Sequence, residues 1–290
     1  MSIPSLFLLI PGFGAPHIPK KIDILRRNLS IILPQIYSAS VPNICLKHIR
    51  ICAYDKDGEC ALQEMLGDCV QSYCAHLATA PPTLQIVSGP GKVGEFIHAH
   101  GSPSDPAIAA CSHILIILDD VELSVTFNFE VMLQYMRDFS LNIITPSLSR
   151  ESIMPVVFPH MLTNPAENYT LNITPVAEFF AYFMDTAFTL PRYYSFLDAK
   201  TNPWMWGMDL ILHKKMGLRV AVLNRIIMRH HFRGTGVHEA IHDRKEYLER
   251  YGETEASVAS QPVSHYYILD PHYRHTSYNI SKSGLKNEDW

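Results

Sequence analysis

The segment Ile114-Leu115-Ile116-Ile117-Leu118-Asp119-Asp120-Val121-Glu122 sets a continuous apolar run directly before a group of acidic residues. Such a run indicates a strand that is covered on both faces, as in the parallel sheets of α/β proteins. Open sheets of this kind bind their ligands beyond the carboxyl ends of the strands. The sequence therefore predicts a buried strand that delivers Asp119, Asp120 and Glu122 to a ligand-binding edge.

The residues before this segment alternate between strand and helix patterns. Short apolar runs are separated by longer stretches in which apolar residues recur at helical spacing. We therefore expect an α/β fold with a mostly parallel central sheet flanked by helices. The predicted strands are residues 6–10, 44–54, 83–88 and 113–118, and the predicted helices are residues 21–37, 59–77 and 94–100.

The residues after the segment are less regular and predict a smaller second region. From Arg233 the chain becomes polar, and we expect a C-terminal extension over residues 236–290 with a loose end. Residues 173–184 fit either a strand or an apolar helix. The other predicted elements are helices over residues 129–139, 206–216 and 238–250, and strands over residues 141–145 and 219–228.

The composition is that of an ordinary soluble globular protein. The 290 residues carry 28 acidic and 24 basic side chains, which gives a formal charge of −4, and 47% of the residues are apolar. This balance argues against a nucleic-acid-binding protein, because phosphate contacts require a basic surface. No apolar run approaches the ~18 residues of a membrane span, and the apolar start lacks the basic region of a signal peptide. We expect a cytoplasmic protein whose six cysteines are reduced.

The acidic group and a histidine pair together predict a divalent cation site. Carboxylates that cluster at a strand end repel one another unless a cation neutralises them, and oxygen ligands suit Mg²⁺ or Mn²⁺. His230-His231 follows the predicted strand of residues 219–228, and a neutral imidazole is a good ligand for Mn²⁺. His230 shares strand parity with Met228, which favours it over His231. The alternative is two solvated loop acids and two ordinary histidines.

A tryptophan-rich segment, Asn202-Pro203-Trp204-Met205-Trp206-Gly207-Met208-Asp209, predicts a sugar-binding surface. The indole rings of Trp204 and Trp206 offer flat apolar faces to sugar rings, and Gly207 lets a ligand approach the backbone closely. Asp209 could act as the general base for an acceptor hydroxyl. The alternative is an aromatic core segment in which Asp209 only opens a helix.

A second acid stands inside an apolar stretch, at Glu178 in Pro175-Val176-Ala177-Glu178-Phe179-Phe180. A buried acid needs a partner or a shifted pKa, and such groups collect at functional sites. Glu178 is therefore a candidate for binding an acceptor hydroxyl. An acid at an exposed edge is the alternative.

In this order along the chain, these features resemble the GT-A nucleotide-sugar glycosyltransferases. Asp119-Asp120, with Glu122, resembles their D-x-D metal motif, although the strict spacing is absent and both D-D and D-x-E pairs stay open. The tryptophan-rich segment resembles the W-G-W-G-x-E/D segment of β4-galactosyltransferases. His230 or His231 resembles the C-terminal metal ligand of many such enzymes. The pattern also resembles the small glycosyltransferases encoded by large algal viruses.

The resemblance implies a Rossmann-like GT-A domain over residues 1–235, with a nucleotide-sugar half of about residues 1–125 and an acceptor half of about residues 126–235. It implies a UDP-sugar donor, Mn²⁺ or Mg²⁺, and an oligosaccharide or glycoprotein glycan as acceptor. It further implies inversion at the anomeric carbon with Asp209 as base, and, from the algal-virus group, transfer of xylose in the cytoplasm of an infected host.

Parallel strand ends converge on one cleft, which adds candidates for the nucleotide sugar. These are the loop Pro11-Gly12-Phe13-Gly14 after the first strand, Asp55 after the second, and Lys92. Asp119 is a candidate for the nucleotide sugar as well as for the cation. For Asp55 the alternative is ordinary turn chemistry in Asp55-Lys56-Asp57-Gly58. For Lys92 the alternative is a solvated loop lysine.

A rival interpretation comes from Gly89-Pro90-Gly91-Lys92-Val93-Gly94, which matches the G-x-G-x-x-G fingerprint of NAD-type dinucleotide-binding oxidoreductases. The fingerprint needs a full helix that points at a pyrophosphate, whereas this helix meets Gly101 and Pro103 within two or three turns. Proline at the second position also removes a backbone N–H from the phosphate loop. A non-catalytic carbohydrate-binding protein on the same fold is the other alternative.

Overall fold

One 10-stranded sheet organises the computed structural model, which describes residues 3–37, 44–74, 81–153, 158–164, 169–232, 237–259 and 264–266. The predicted loose end, residues 267–290, lies outside the described residues. The strands are β1 (Ser5–Phe13), β2 (Cys45–Ala53), β3 (Thr83–Ser88), β4 (His113–Ile117), β5 (Val121–Leu123), β6 (Ile143–Leu148), β7 (Leu171–Thr174), β8 (Ala181–Asp185), β9 (Val220–His230) and β10 (Ser264–Tyr266). Their order in the sheet is β10-β7-β9-β6-β8-β4-β1-β2-β3, and β5 pairs with β9.

Helices flank the sheet, and their apolar residues share its hydrophobic core. None of the helices in the ranges given above is both long enough and apolar enough to cross a membrane. The helices are α1 (Ile18–Tyr37), α2 (Lys56–Cys74), α3 (Val93–His100), α4 (Pro106–Ala109), α5 (Phe129–Phe139), α6 (Thr189–Tyr194), α7 (Val237–Arg250) and α8 (Glu255–Ala259), with a 3₁₀ turn at Pro159–Met161.

The first half of the sheet is parallel, as the sequence predicts. β1 pairs in parallel with β2 on one side and with β4 on the other, and β3 follows beyond β2. β1 and β4 are buried along nearly their whole length, which explains their continuous apolar runs. Because neighbouring parallel strands end at the same edge, the loops after β1, β2 and β4 meet there.

The second half makes the sheet mixed. β8 lies antiparallel between β4 and β6, whereas β6 and β9 are parallel neighbours. β5, β7 and β10 add further antiparallel pairs. The single element expected over residues 173–184 divides into the end of β7, a connection that carries Glu178, and β8.

The helix predicted over residues 206–216 is wrong, because this part of the chain forms consecutive turns. Met205 has a φ of 62° and Gly207 a φ of 91°, and this left-handed region is incompatible with a right-handed helix. The apolar spacing that favours a helix comes from residues such as Ile211 and Leu212, which reach the core from successive turns.

Helix α1 holds the acidic segment through two polar residues on its buried face, Lys21 and Asn28. The Asn28 side chain donates a hydrogen bond to the carbonyl of Val121 and accepts one from the amide of Leu123, both at 2.8 Å. One side chain thus satisfies two buried backbone groups of β5. This contact fixes the strand that directly follows Asp119 and Asp120.

We expect Asn28→Ala to lower the free energy of unfolding by about 2 kcal/mol or more, because it leaves two buried backbone groups without partners. Urea unfolding monitored by circular dichroism measures the change. Arg26→Ala, on the exposed side of the same helix, should change stability by less than about 0.5 kcal/mol. An equal effect of both variants would contradict the bridging role of Asn28.

Candidate functional site

A cavity of about 540 Å³ opens at the edge where β1, β2 and β4 end. The connection before β8, the turns after residue 202 and helix α7 also contribute to its wall, as do α1, the start of α3 and the end of β9. Many of the residues that the sequence predicts as functional line this one cavity. They are Pro11, Lys92, Asp119, Asp120, Glu178, Trp204, Trp206, Gly207, Asp209 and His230.

Asp119 is neutralised within the protein. The Lys21 ammonium lies 2.7 Å from Oδ2 of Asp119 and also donates a 2.9 Å hydrogen bond to the carbonyl of Gly14. Burial and the adjacent charge of Asp120 raise the pKa of Asp119, and Lys21 opposes this rise. Lys21 therefore ties the loop after β1 to the acid after β4.

Asp120 and His230 together offer a carboxylate oxygen and an imidazole nitrogen at one point. Nε2 of His230 lies 3.1 Å from Oδ2 of Asp120, and Nδ1 faces the carbonyl of Ile153. A carbonyl only accepts hydrogen bonds, so Nδ1 carries a proton and Nε2 faces Asp120. The other oxygen of Asp120, Oδ1, is buried and has no hydrogen-bond partner among the described residues.

These two side chains fit a divalent cation in chemistry and in placement. A carboxylate and an imidazole suit Mn²⁺, and a buried oxygen without a partner is a free ligand position. No cluster of three or more potential metal ligands occurs in the described part of the chain. A cation bound here would need further oxygen ligands, which phosphate groups or water supply in many sites.

Glu122 and His231 form a second pair that does not line the cavity. Nε2 of His231 lies 2.6 Å from Oε2 of Glu122, and the guanidinium of Arg27 lies 2.7 Å from Oε1. Both carboxylate oxygens of Glu122 are thereby occupied. Among the ligand sets that the sequence leaves open, the structure therefore places Glu122 and His231 in a separate pair and brings Asp120 together with His230 in the cavity.

Asp209 and Glu178 face the same cavity with different proton affinities. Burial raises the pKa of Asp209 to about 6, although a 3.1 Å hydrogen bond from the amide of Gly207 and the charge of Arg244 act to lower it. Burial, together with the charge of Asp209, raises the pKa of Glu178 to about 9. At neutral pH the site therefore combines an ionised Asp209 with a protonated Glu178, a separation of roles typical of acid–base sites.

Each tryptophan of the cavity carries a cation on its ring. The Lys92 ammonium lies 4.2 Å from the ring centre of Trp204, and the guanidinium of Arg244 lies 5.8 Å from that of Trp206. These cation–π contacts bring positive charge to the indoles and hold both cations at the cavity wall. Lys92, predicted for the nucleotide, therefore lies beside Trp204, predicted for the acceptor.

Most of the predicted glycine loop, residues 11–14, does not line the cavity, and neither does Asp55. The strand β1 continues to Phe13, so only Gly14 of this predicted loop follows the strand. Phe13 is fully buried in the core, and a Cβ on Gly12 would overlap the Tyr54 ring. Asp55 accepts a 2.7 Å hydrogen bond from the amide of Gly58, which is the turn chemistry named as its alternative, and a 3.3 Å hydrogen bond from the amide of the distant Ala15. Gly14 also lies outside the cavity lining, so only Pro11 of this predicted group contributes directly.

The G-x-G-x-x-G loop is built for packing rather than for a pyrophosphate. The carboxylate of Glu95 accepts the amide hydrogen of Lys92 at 2.7 Å and so occupies the start of α3, which is only 8 residues long. A Cβ on Gly94 would lie 2.8 Å from the carbonyl oxygen of Pro203, so glycine is required where α3 meets the tryptophan-rich segment. This geometry disfavours the dinucleotide interpretation.

Several cavity residues are absent from the sequence-based predictions. The rings of His17 and Phe232 stack with centres 4.5 Å apart, and no spacing rule connects residues so distant in the chain. Lys21 and Arg244 do leave a signal, since each places a charge on the buried side of an amphipathic helix. Tyr54 leaves no such signal, because it directly follows a buried strand.

Comparison with known proteins establishes the fold. No family model matches the chain, and no curated protein matches its sequence. Among solved structures, the chain is similar to GalNAc-T7 crystallised with UDP, GalNAc and Mn²⁺, with a TM-score of 0.53 and 9% sequence identity. The match covers 85% of this chain and 48% of the other, so the chain spans about half the length of that structure. The predicted α/β class with a GT-A-like arrangement is confirmed.

The raised pKa of Glu178 predicts a stability effect that grows with pH. Below the usual carboxyl pKa both the folded and the unfolded protein hold this proton, so it has no effect. Above the usual carboxyl pKa, only the unfolded chain ionises freely at Glu178. The free energy of unfolding therefore falls by about 1.4 kcal/mol per pH unit until the carboxyl of the folded protein titrates, at a pKa of about 9.

We therefore expect Glu178→Gln to match the wild type near pH 4 and to become increasingly more stable than it from pH 5 to pH 8. Chemical unfolding at several pH values measures the difference. Glu64→Gln, which changes an exposed acid on α2, is the matched control and should follow the wild type. A constant difference for Glu178→Gln across this range would contradict the shifted pKa.

Proposed function

We propose that the chain is a metal-dependent glycosyltransferase that moves a sugar from a UDP-sugar to a hydroxyl of a glycan acceptor. One observation supports this most directly: a single cavity contains two pairs of titratable side chains. One pair is Asp120 and His230, and the other is Asp209 and the protonated Glu178. The first suits a cation with a diphosphate, and the second suits removal of a proton from a hydroxyl. The fold similarity to GalNAc-T7 with UDP, GalNAc and Mn²⁺ adds support.

At the donor end, we assign Asp120 and His230 as the protein ligands of Mn²⁺ or Mg²⁺. When bound, the ion would offset the negative charge that develops on the leaving UDP. Lys92 can add a second positive charge, since its ammonium lies at the cavity wall and has no acidic partner among the described residues. Lys21 remains with Asp119 and keeps that carboxylate from repelling the diphosphate.

At the acceptor end, Asp209 accepts the proton of the acceptor hydroxyl while the oxygen of that hydroxyl forms its bond to the anomeric carbon. The bond between this carbon and the UDP oxygen breaks at the same time, and UDP leaves with the electron pair. Attack opposite to the leaving group inverts the anomeric configuration. The protonated Glu178 can donate a hydrogen bond to a sugar hydroxyl, and Trp204 and Trp206 can pack against sugar rings.

We further propose xylose as the transferred sugar and an oligosaccharide or glycoprotein glycan as the acceptor. This finer assignment is supported only by the order of motifs that resembles the algal-virus glycosyltransferases, whose setting would be the cytoplasm of an infected host. Transfer assays with UDP-xylose, UDP-galactose and UDP-glucose distinguish the possible donors.

The cation assignment predicts opposite behaviour for two acid variants. UDP with Mn²⁺ should raise the melting temperature of the wild type, because a ligand that binds only the folded state stabilises it by about 2.7 kcal/mol at 100 times its Kd. Asp120→Asn should lose this rise, whereas Glu122→Gln, the matched control, should keep it. The reverse result would reject the assignment. A rise with glycans alone, independent of metal, would favour a carbohydrate-binding protein.

The base assignment predicts a separation of binding from turnover. Asp209→Asn should keep the UDP–Mn²⁺ stabilisation but lower the transfer rate by about 10²- to 10⁴-fold, the usual contribution of a general base. Product analysis by NMR should show an anomeric configuration opposite to that of the donor. Asp243→Asn, outside the cavity lining on α7, serves as the control. Unchanged turnover in Asp209→Asn would exclude it as the base.

A further inference from the structure

Helix α7 presents a charged residue in the middle of its buried face. Ala240, Tyr247 and Leu248 are buried at helical spacing, and Tyr247 and Leu248 belong to the main hydrophobic core. Arg244 lies on this same face, at a position where the pattern calls for an apolar residue. Its Nε is buried and has no hydrogen-bond partner among the described residues.

This helix packs directly against the turn that carries Asp209. A Cβ on Gly207 would lie 3.1 Å from Cγ of Arg244 and 3.5 Å from Cγ of Leu248, so the turn and the helix are in close contact. The guanidinium of Arg244 lies over the Trp206 ring and lines the cavity together with Asp209. One terminal nitrogen donates a 2.5 Å hydrogen bond to Glu255 of α8, which fixes the side chain.

Helix α7 and the connection to α8 also contact the turns around Asp209. Arg250 forms an ion pair with Asp198. Glu253, between α7 and α8, is buried and pairs with Lys214 at 2.5 Å and with Lys215 at 2.9 Å. The segment from residue 198 to residue 216 contains no regular helix or strand, so these contacts replace the rigidity that secondary structure would give it.

We propose that α7 and α8 are part of the active site, and that Arg244 is a positioning residue that orients Asp209 and compensates its negative charge. The role assigned to Asp209 rests on the proposed function, whereas the packing of Arg244 against Gly207 and Trp206, in the turn that carries Asp209, does not. Both helices lie in the predicted C-terminal extension, residues 236–290. On this proposal, the first part of the extension belongs to the active site.

Within the described ranges, four titratable or charged groups from different parts of the fold interact electrostatically with Asp209. Glu178 precedes β8, Tyr182 lies in β8 and Tyr193 in α6, and each interacts with the Asp209 charge. Arg244 is the cation that lowers the pKa of both Asp209 and Glu178. Removing Arg244 should therefore make the carboxyl of Asp209 harder to ionise.

The test follows the Asp209 carboxyl directly, by NMR titration of protein labelled with ¹³C at the aspartate carboxyl carbons. Asp209→Asn identifies the signal. In Arg244→Gln the midpoint should rise by about one pH unit, the lower end of what loss of a nearby opposite charge produces, and Arg244→Lys should restore most of it. Lys245→Gln, an exposed neighbour on α7, is the control and should leave the midpoint unchanged.

A second variant changes the electrostatic effect of Arg244 on Asp209 while keeping Arg244 itself. It therefore does not depend on the folding of Arg244→Gln. Glu255→Gln removes the exposed anion that pairs with Arg244, so the less compensated guanidinium should lower the Asp209 midpoint. An unchanged midpoint in Arg244→Gln or a rise in Glu255→Gln would overturn the proposal. A lower melting temperature with an unmoved midpoint would show that Arg244 is only structural.

Activity separates this inference from the proposed function. If the wild type transfers sugar, the acid limb of its pH–rate profile should move to higher pH in Arg244→Gln, in step with the titration. If the wild type transfers no sugar from any UDP-sugar while Arg244 still moves the Asp209 midpoint, the proposed function fails and the positioning role stands.

Discussion

The structure depends on keeping two adjacent carboxylates, Asp119 and Asp120, at the buried end of a central strand. Unpaired charges are costly in such surroundings, and two of like sign raise the cost further. Two side chains from distant parts of the chain lie against these carboxylates, the Lys21 ammonium from α1 and the His230 imidazole from β9. Strand pairing brings His230 to this place, because β5, which directly follows the two acids, pairs with β9. Oδ1 of Asp120 still has no hydrogen-bond partner among the residues that the structure describes, and it is the position that a cation can use.

The first half of the fold is predictable because its strands are buried on both faces. A strand such as β4 must then be apolar throughout, and its boundaries are visible in the sequence. Residues 206–216 mislead for the opposite reason, since they meet the core from irregular turns and produce an apolar spacing with no helix behind it. Asp55 shows a further limit, because a turn acid and a ligand acid at a strand end have the same local sequence, and only the hydrogen bonds to Gly58 and Ala15 distinguish them.

The residues that the sequence could have revealed are polar residues on apolar helix faces. Lys21 and Asn28 on α1, and Arg244 on α7, all interrupt the buried side of an amphipathic helix, and all three contact a segment that carries a candidate acid. A buried polar group persists only when it has a partner, so each interruption implies a specific contact elsewhere in the fold. The sequence gives the position of such a contact but not its partner, because the partner depends on which elements pack together.

The selection between the two acid–histidine pairs is a matter of strand register. In the antiparallel pair of β5 and β9, Val121 lies opposite His230 and Glu122 opposite Arg229, and opposed residues share a face of the sheet. His230 and Glu122 therefore point to opposite sides, and a shift of one residue would exchange them. Asp120 does not follow the alternation of faces along β5, because it lies in the turn before this strand. Its side chain can therefore reach His230. A D-D-x-E sequence beside two histidines allows several ligand pairs, and the register leaves Asp120 and His230 as the pair that faces the cavity.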